Sequence, residues 1–229
     1  PGRPPRRATS GAETIDLAGQ MLAPGLIDLH THGALGCDTM DADPAALRTM
    51  AAFYARHGVT GFLATTMTAG LPEILAALHA VGEAMASGTG GATLLGAHLE
   101  GPFLDPGHAG AQAAAHVIRA NAEAGEELLG TGVIRLLTVA PEFAENRELI
   151  LAAIARGVVV SMGHTGADYE AACEAVRLGV THVTHLYNAM APLHHREPGV
   201  VGAALTHDVL TCELIVDRVH VHPAVVALT

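Results

Sequence analysis

Short apolar runs alternate with amphipathic segments along most of the chain. Seven of these runs have the length of a strand: GLIDLHTHG, GVTGFLATTM, LLGAHLEG, IRLLTVAPE, GVVVSMGHT, THVTHLYNAM and TCELIVDRVHV. A regular alternation of strands and helices is typical of parallel βαβ units. Because the runs are almost continuously apolar, they favour a sheet that is covered on both faces.

The amphipathic segments carry helix start and stop signals. In DPAALRTMAAFYARHG, Asp43 has the position of an N-cap, Pro44 that of the first helical residue and Gly58 that of the stop. Three further segments are organised in the same way: LPEILAALHAVGEAMASG, ENRELILAAIARG and ADYEAACEAVRLG. A (β/α)8 barrel needs eight strands. We therefore predict an α/β fold, a TIM-like (β/α)8 hydrolase barrel with seven of its eight strands in this chain.

Both ends of the sequence look like parts of larger elements. HPAVVALT has the pattern of the first turns of a helix, and ETIDLAGQMLAP that of the tail of an earlier element, so we expect a sequence cut at both ends. The basic, proline-rich PGRPPRR is not followed by the apolar region of a secretory signal, which favours a flexible leader or a cut inside a larger chain. Apolar runs stay well below the roughly 20 residues of a membrane span, so no membrane partner is expected.

Composition and charge exclude some classes of partner and of chemistry. The formal net charge of −11 argues against a nucleic-acid partner, because phosphate backbones need a basic surface. All 12 basic residues are arginine, so P-loop chemistry, Schiff-base chemistry and lysine-derived metal ligands are excluded. The 3 cysteines, an odd number in unrelated contexts, fit a reducing cytoplasm.

Polar residues cluster where the predicted strands end. In LIDLHTHG, His30 and His32 are two residues apart, so an extended strand would turn both imidazoles to one face. Parallel strands of a barrel all open on one face, where active sites lie. Imidazole and carboxylate groups that meet there suit a divalent metal such as zinc or iron. The strand-end set is His30, His32, Glu100, His164, His185 and His220.

Several motifs occur together in a characteristic order: PGLIDLHTHG, HLEGPF, MGHTGA, THLYNAM, REPGVVG and VDRVHVHP. From about residue 15 onwards the chain thereby resembles the N-acetylglucosamine-6-phosphate deacetylase family of the amidohydrolase superfamily. HLEGPF and THLYNAM are more specific than the HxH pair, which many amidohydrolases share. The resemblance implies a metal-dependent barrel and a small β-sandwich built from both chain ends. Residues 1–20 would then be a leader and a remnant of the sandwich, and residues 21–229 an incomplete amidohydrolase barrel.

The resemblance also implies roles for individual residues at the metal site. Glu100, His164 and His185 match the principal metal ligands of the family. His30 and His32 match the position where some members hold a second metal ion, so one or two ions are expected. Since this chain has no lysine to carboxylate, Glu100 would bridge the two ions.

On the substrate side, Asn188 and Ala189 match backbone and amide contacts to the sugar, and Arg196 and His220 match phosphate-binding cations. Arginine suits phosphate because its planar fork donates two hydrogen bonds at once. In the family this arginine is offered across a subunit interface, which implies a homodimer. Ala111 and Gln112 are also expected to bind the substrate. Two departures stand out: Gln112 lies where many members have a histidine that touches the sugar, and Arg218 replaces a common glycine.

The activity implied is hydrolysis of the acetamide of N-acetylglucosamine 6-phosphate to glucosamine 6-phosphate and acetate, in the cytoplasm. The family's general base is an aspartate on strand 8, which would lie beyond Thr229, so no catalytic base is assigned here and this segment alone is expected to be impaired. Two alternatives stay open: another amidohydrolase of the cyclic amidase type, or a non-catalytic fragment that keeps metal and sugar-phosphate sites.

Overall fold

The computed structural model of the protein describes residues 15–229. Seven strands form one sheet in which each strand pairs in parallel with the next along the chain. The strands are β1 (Leu26–Thr31), β2 (Val59–Thr65), β3 (Thr93–Glu100), β4 (Ile134–Val139), β5 (Val159–Met162), β6 (His182–Val183) and β7 (Thr211–Cys212).

A helix connects each strand to the next. The helices are α1 (Pro44–Arg56), α2 (Leu71–Ser87), α3 (Ala122–Gly130), α4 (Asn146–Ala155), α5 (Tyr169–Leu178), α6 (Gly199–Thr206) and, after β7, α7 (Pro223–Val226). The predicted start of α1 is confirmed, because the Asp43 carboxylate accepts a hydrogen bond from the Ala45 backbone N–H at 2.8 Å. A two-stranded hairpin (Gly33–Ala34 with Cys37–Asp38) follows β1.

The sheet is curled into a partial barrel. His30 on β1 and Glu213 after β7 come within 2.8 Å of each other, although their strands lie at opposite ends of the strand order. Among the described residues β1 and β7 do not pair with one another, so the sheet keeps two edges. The prediction of a TIM-like barrel with seven strands in this chain is confirmed.

Two kinds of core stabilise this architecture. Apolar residues fill the space between the sheet and the helices, with Phe62, Leu78 and Leu137 fully buried. The inside of the curl is polar instead: the hydroxyls of Thr138, Ser161 and Thr184 form a chain of hydrogen bonds of 2.6–2.7 Å. Their polar groups satisfy one another, which avoids the penalty of burying unpaired hydroxyls below the strand ends.

The last two predicted strands are much shorter than their apolar runs. β6 ends at Val183 because the chain then turns through left-handed conformations at His185, Tyr187 and Ala189. β7 ends at Cys212; Glu213 still forms backbone hydrogen bonds with Val183 and Leu186, and no later residue of the described chain joins the sheet. The prediction of long strands over THVTHLYNAM and TCELIVDRVHV was therefore wrong in extent.

The chain ends bear on two other predictions. Residues 15–20 contain a turn and no strand, and residues 1–14 lie outside the described part, so the sandwich remnant over 1–20 stays a prediction. The predicted start of a helix in HPAVVALT is confirmed by α7, which His222 caps. Within the described residues, no helix is both long and apolar enough to cross a membrane.

Candidate metal centre and substrate cavity

Glu100, the last residue of β3, is the centre of the candidate site and is only 1% exposed. Its two carboxylate oxygens face different pairs of imidazoles. Oε1 lies 3.1 Å from His164 Nε2 and 3.2 Å from His185 Nε2. Oε2 lies 3.1 Å from His32 Nε2 and 3.4 Å from His30 Nε2. The five residues predicted to bind metal are thus brought together, one oxygen of Glu100 to each histidine pair.

The three donors on the Oε1 side have the spacing of a metal site. His164 Nε2 and His185 Nε2 are 2.9 Å apart, and each is 3.1–3.2 Å from Glu100 Oε1. A tetrahedral ion with bonds of about 2.0–2.2 Å separates its ligands by roughly 3.3–3.6 Å, so a small outward shift would admit the ion. Glu100 with His30 and His32 forms a second such group. These groups could hold a metal ion, and their nitrogen and oxygen donors suit zinc or iron.

The ring orientations add an independent argument for a cation. His32 Nδ1 lies 3.3 Å from the Thr65 carbonyl oxygen, and His164 Nδ1 lies 3.0 Å from the His108 carbonyl oxygen. A carbonyl only accepts, so both Nδ1 atoms carry the proton in the neutral ring and both Nε2 lone pairs face the Glu100 carboxylate. Such an approach is repulsive unless a proton or a metal ion lies between the nitrogen and the oxygen.

The pKa values of Glu100 and His30 are both shifted so that the charged form of each group is favoured. Burial alone would raise the pKa of Glu100, but the hydrogen bonds from His164, His185, His30 and His32 hold it well below its ordinary value of 4.5. Burial alone would lower the pKa of His30, but its contacts with Glu100 and Glu213 raise it to about 10. An ion bonded to His30 would therefore have to displace a proton from that ring.

Gln112 takes a different contact from the one predicted. Its side-chain Nε2 donates to Glu100 Oε2 at 2.8 Å, and its Oε1 accepts from the Thr68 backbone N–H at 2.6 Å. The side chain is buried and holds the carboxylate in place. A contact between Gln112 and a sugar stays a prediction.

The backbone around these ligands is unusual. Gly101, directly after Glu100, has φ +80°, and a Cβ there would overlap the Thr68 side chain. This explains the glycine of HLEGPF. His164 and His185 also have positive φ, at 50° and 31°, in a region that side chains other than glycine seldom adopt. Strained backbone of this kind clusters at functional sites.

A cavity of about 1220 Å³ opens in front of the groups that could hold a metal ion. Besides Glu100 and the four histidines, it is lined by most of the residues predicted to contact substrate: Ala111, Gln112, Asn188, Ala189 and His220. Arg196 does not line it. This residue is exposed on the loop before α6 and makes no ion pair within residues 15–229, including with Glu197. No arginine is among the described residues that line the cavity.

His220 lies at the rim of the cavity and is held by Asp217. Its Nδ1 is 2.6 Å from one carboxylate oxygen of Asp217. The other oxygen of the same carboxylate accepts a hydrogen bond from the His220 backbone N–H. The backbone N–H groups of His220 and Val219 and the His220 ring lower the pKa of Asp217 to about 2. The pair is exposed, and the His220 side chain is among those that line the cavity.

Two residues of the site were missed by the sequence analysis. Glu213 accepts from His30 at 2.8 Å, and His98 packs edge-on against the His30 ring with centroids 4.7 Å apart. Burial, with a smaller effect of the charge on His30, lowers the pKa of His98 to about 4, so it is a neutral neighbour. A signal existed for both: His98 precedes Glu100 by two residues, as His30 precedes His32, and Glu213 interrupts an apolar run at a strand end.

Comparison with known proteins gives consistent matches. The Amidohydrolase family matches residues 21–228. The N-acetylglucosamine-6-phosphate deacetylases of Bacillus subtilis and Vibrio furnissii are 44% and 42% identical over 90% and 94% of this chain, and over 53% and 54% of their own length. A solved N-acetyl-D-glucosamine-6-phosphate deacetylase from Mycobacterium smegmatis, in complex with N-acetyl-D-glucosamine-6-phosphate, superimposes with a TM-score of 0.84 at 33% identity, over 89% of this chain and 53% of that one.

The chain thus spans about half the length of the curated relatives it matches. Its family match covers nearly all the described residues, including every strand of the sheet. On this match, together with the curled parallel sheet and the histidine and glutamate groups at its strand ends, the chain belongs to the amidohydrolase family.

Proposed function

We propose that the natural protein containing this chain hydrolyses the acetamide of N-acetylglucosamine 6-phosphate, giving glucosamine 6-phosphate and acetate. The observation that carries the proposal is the buried Glu100 carboxylate with two imidazoles on each oxygen. The curated relatives, which carry the deacetylase name, support the substrate. Cyclic amidases use a carboxylated lysine as a metal ligand, and this sequence contains no lysine. A cyclic amidase activity therefore has less support.

We propose two metal positions. Glu100 Oε1, His164 and His185 would hold one divalent ion, zinc or iron, and Glu100 Oε2, His30 and His32 would hold a second. When bound, such an ion supplies a Lewis acid that activates water and polarises an amide carbonyl. Gln112 would keep the bridging carboxylate in one rotamer through its 2.8 Å hydrogen bond. A fixed Glu100 rotamer matters because both ions would share this carboxylate.

The sugar phosphate would occupy the cavity of about 1220 Å³ in front of the metal positions. Ala111, Asn188 and Ala189 line this cavity and would orient the acetamide toward the metal-binding groups. His220 at the rim would bind the 6-phosphate, which fixes the substrate far from the reacting bond and so supplies positioning.

The arginine for the phosphate would come from a second copy of the chain. Arg196 is exposed and lies outside the lining of its own cavity, which within the described part of the chain offers histidine as its only basic residue type. A homodimer that presents Arg196 to the neighbouring cavity would supply the bidentate donor that phosphate prefers. We also place the reaction in the cytoplasm, which fits three free cysteines.

The activity is tested by measuring acetate release from N-acetylglucosamine 6-phosphate by the full-length natural protein. Glu100→Gln should lose metal and at least about a hundredfold in rate, since it removes a charged ligand shared by both positions. Glu127→Gln, the same chemical change at an exposed position on α3, should change neither quantity. Full metal retention and rate in Glu100→Gln would refute the site, and inactivity of the unchanged protein would refute the substrate.

A further inference from the structure

Glu213 has a rigid position at the edge of the site. Its backbone N–H donates to the Val183 carbonyl at 2.9 Å, and its carbonyl accepts from the Leu186 N–H at 2.9 Å. The backbone is thereby fixed to β6 and to the turn after it. From this fixed backbone the side chain reaches the His30 ring, and both side chains are largely buried, at 15% and 19% exposure. A buried carboxylate that neither lines a core nor meets an arginine needs an explanation.

The contact determines what the His30 ring can do. Its Nδ1 is 2.8 Å from Glu213 Oε2, so that nitrogen is engaged as a donor. Only Nε2 is then available for a metal ion, and it points to Glu100 Oε2 at 3.4 Å. The rings of His98 and His32 pack edge-on against the ring at 4.7 and 5.3 Å, which restricts its rotation.

The other imidazoles of the site are held differently. His32 and His164 donate through Nδ1 to backbone carbonyls, and His185 Nδ1 has no hydrogen-bond partner among residues 15–229. Among the described residues, His30 alone of the four has a carboxylate at its Nδ1 atom. A carboxylate behind a metal-binding imidazole fixes its tautomer and raises its basicity more than a neutral carbonyl does. Only at His30 can one side-chain substitution remove this support.

We propose that Glu213 is a positioning residue for the second metal ion, acting through His30. The inference rests on the proposed two-ion site. A competing reading makes Glu213 itself a ligand, because Glu213, His30 and His98 also form a group of close donors. That group is the less accessible one: His98 is fully buried and does not line the cavity, and since its Nε2 is engaged with Thr138 at 2.7 Å, an ion would have to use its Nδ1, which has no hydrogen-bond partner among residues 15–229.

The test is a metal titration of the full-length natural protein after metal removal, with Zn²⁺ and with Co²⁺, whose visible spectrum reports coordination. In Glu213→Ala the affinity for the second equivalent should fall about 10- to 100-fold, while the first equivalent keeps its affinity. Glu213→Gln keeps an acceptor oxygen for Nδ1–H and should lose clearly less. Asp208→Ala removes an exposed carboxylate five residues earlier and is the matched control, expected to behave as the unchanged protein.

The outcomes separate the inference from the function it rests on. Two equivalents in the unchanged protein with no change in Glu213→Ala would overturn the role of Glu213 alone. A single equivalent in the unchanged protein would overturn the two-ion site and this inference with it.

Anomalous diffraction from metal-loaded crystals gives a further check, since an ion bonded directly to Glu213 would make it a ligand and contradict the positioning role. Should Glu213→Ala fail to fold, a second equivalent bound by Glu213→Gln more weakly than by the unchanged protein, but more tightly than by a His30→Ala protein, would support the role, and one bound at full strength would overturn it.

Discussion

Glu100 combines almost complete burial with five polar neighbours. An isolated buried carboxylate would be strongly destabilising, and the penalty is met only when charges and hydrogen bonds surround it. Four imidazoles and the Gln112 amide do so here. Without a bound ion the His30 ring, whose pKa is raised to about 10, supplies part of this compensation as a positive charge, so a proton and a metal ion compete for its Nε2.

This competition predicts a pH dependence of metal binding. The pKa of His30 is about 10 in the metal-free protein, so an ion that binds Nε2 at neutral pH must displace a proton. Below that pKa, affinity for the second equivalent should rise with pH, by about tenfold per unit for one displaced proton. Calorimetric titration in buffers of different ionisation enthalpy counts the protons released. Binding of the second equivalent with the same affinity from about pH 6.5 to 8.5 would contradict the assignment of His30 as a ligand.

The residues of the candidate site lie at strand ends and in the turns that follow them. β1 carries His30 and β3 carries Glu100, while His164, His185 and Glu213 lie one or two residues beyond β5, β6 and β7. The turns must leave the sheet sharply, because each next residue has to clear the neighbouring strand. Gly101 illustrates this, with a left-handed φ and no room for a Cβ beside Thr68.

A matched pair of glycine substitutions measures that lack of room. Gly101→Ala should destabilise the protein by about 2–4 kcal/mol, from unfavourable φ plus the overlap with Thr68. Gly157→Ala has nearly the same φ, +76°, but open space around its Cβ, and should cost only about 1 kcal/mol. Denaturant unfolding of both variants gives the difference. Equal losses in the free energy of unfolding would mean that the Thr68 side chain moves aside without a free-energy penalty.

Patterns that are local in sequence predicted most of the elements. Asp43, Pro44 and the apolar periodicity located α1, and the strand-end rule located Glu100 and the four histidines around it. The contacts of Glu213 and Gln112 could not be predicted in the same way. Glu213 meets His30 only because the whole sheet curls, and Gln112 reaches Glu100 along an irregular loop. β6 and β7 were predicted too long because apolar composition does not reveal where ladder partners end.

Charge is the property that matters at the scale of the whole molecule. The chain carries a formal net charge of −11, and within its described residues no arginine lines the cavity proposed to receive a phosphate. Long-range repulsion would disfavour an anionic substrate unless a local cation offsets it. The exposed Arg196 of a second copy would provide that cation and make each site depend on two subunits.

Subunit mixing tests this dependence. Arg196→Ala alone should weaken use of the phosphorylated sugar, roughly tenfold to a hundredfold, by loss of a charge-assisted contact. Mixed with Glu100→Gln and allowed to exchange subunits, it should recover about a quarter of the normal activity, since half the dimers are mixed and one site in each is intact. A mixture of Glu100→Gln with the double variant is the control and should recover nothing. Activity equal to the mean of the two parents would show that Arg196 does not act across subunits.

The left-handed backbone at His164 and His185 has a consequence for protein engineering. At φ 50° and 31°, histidine costs on the order of 1–2 kcal/mol more than glycine would. A designer seeking only the most stable sequence for this backbone would write glycine or asparagine at both positions. Random libraries ranked by melting temperature alone should therefore enrich clones that combine these substitutions with an uncharged residue at position 100, since a lone replacement would leave the buried carboxylate uncompensated, and such clones would be poor metal binders. Selection for thermostability in this protein has to be coupled to a screen for retained metal.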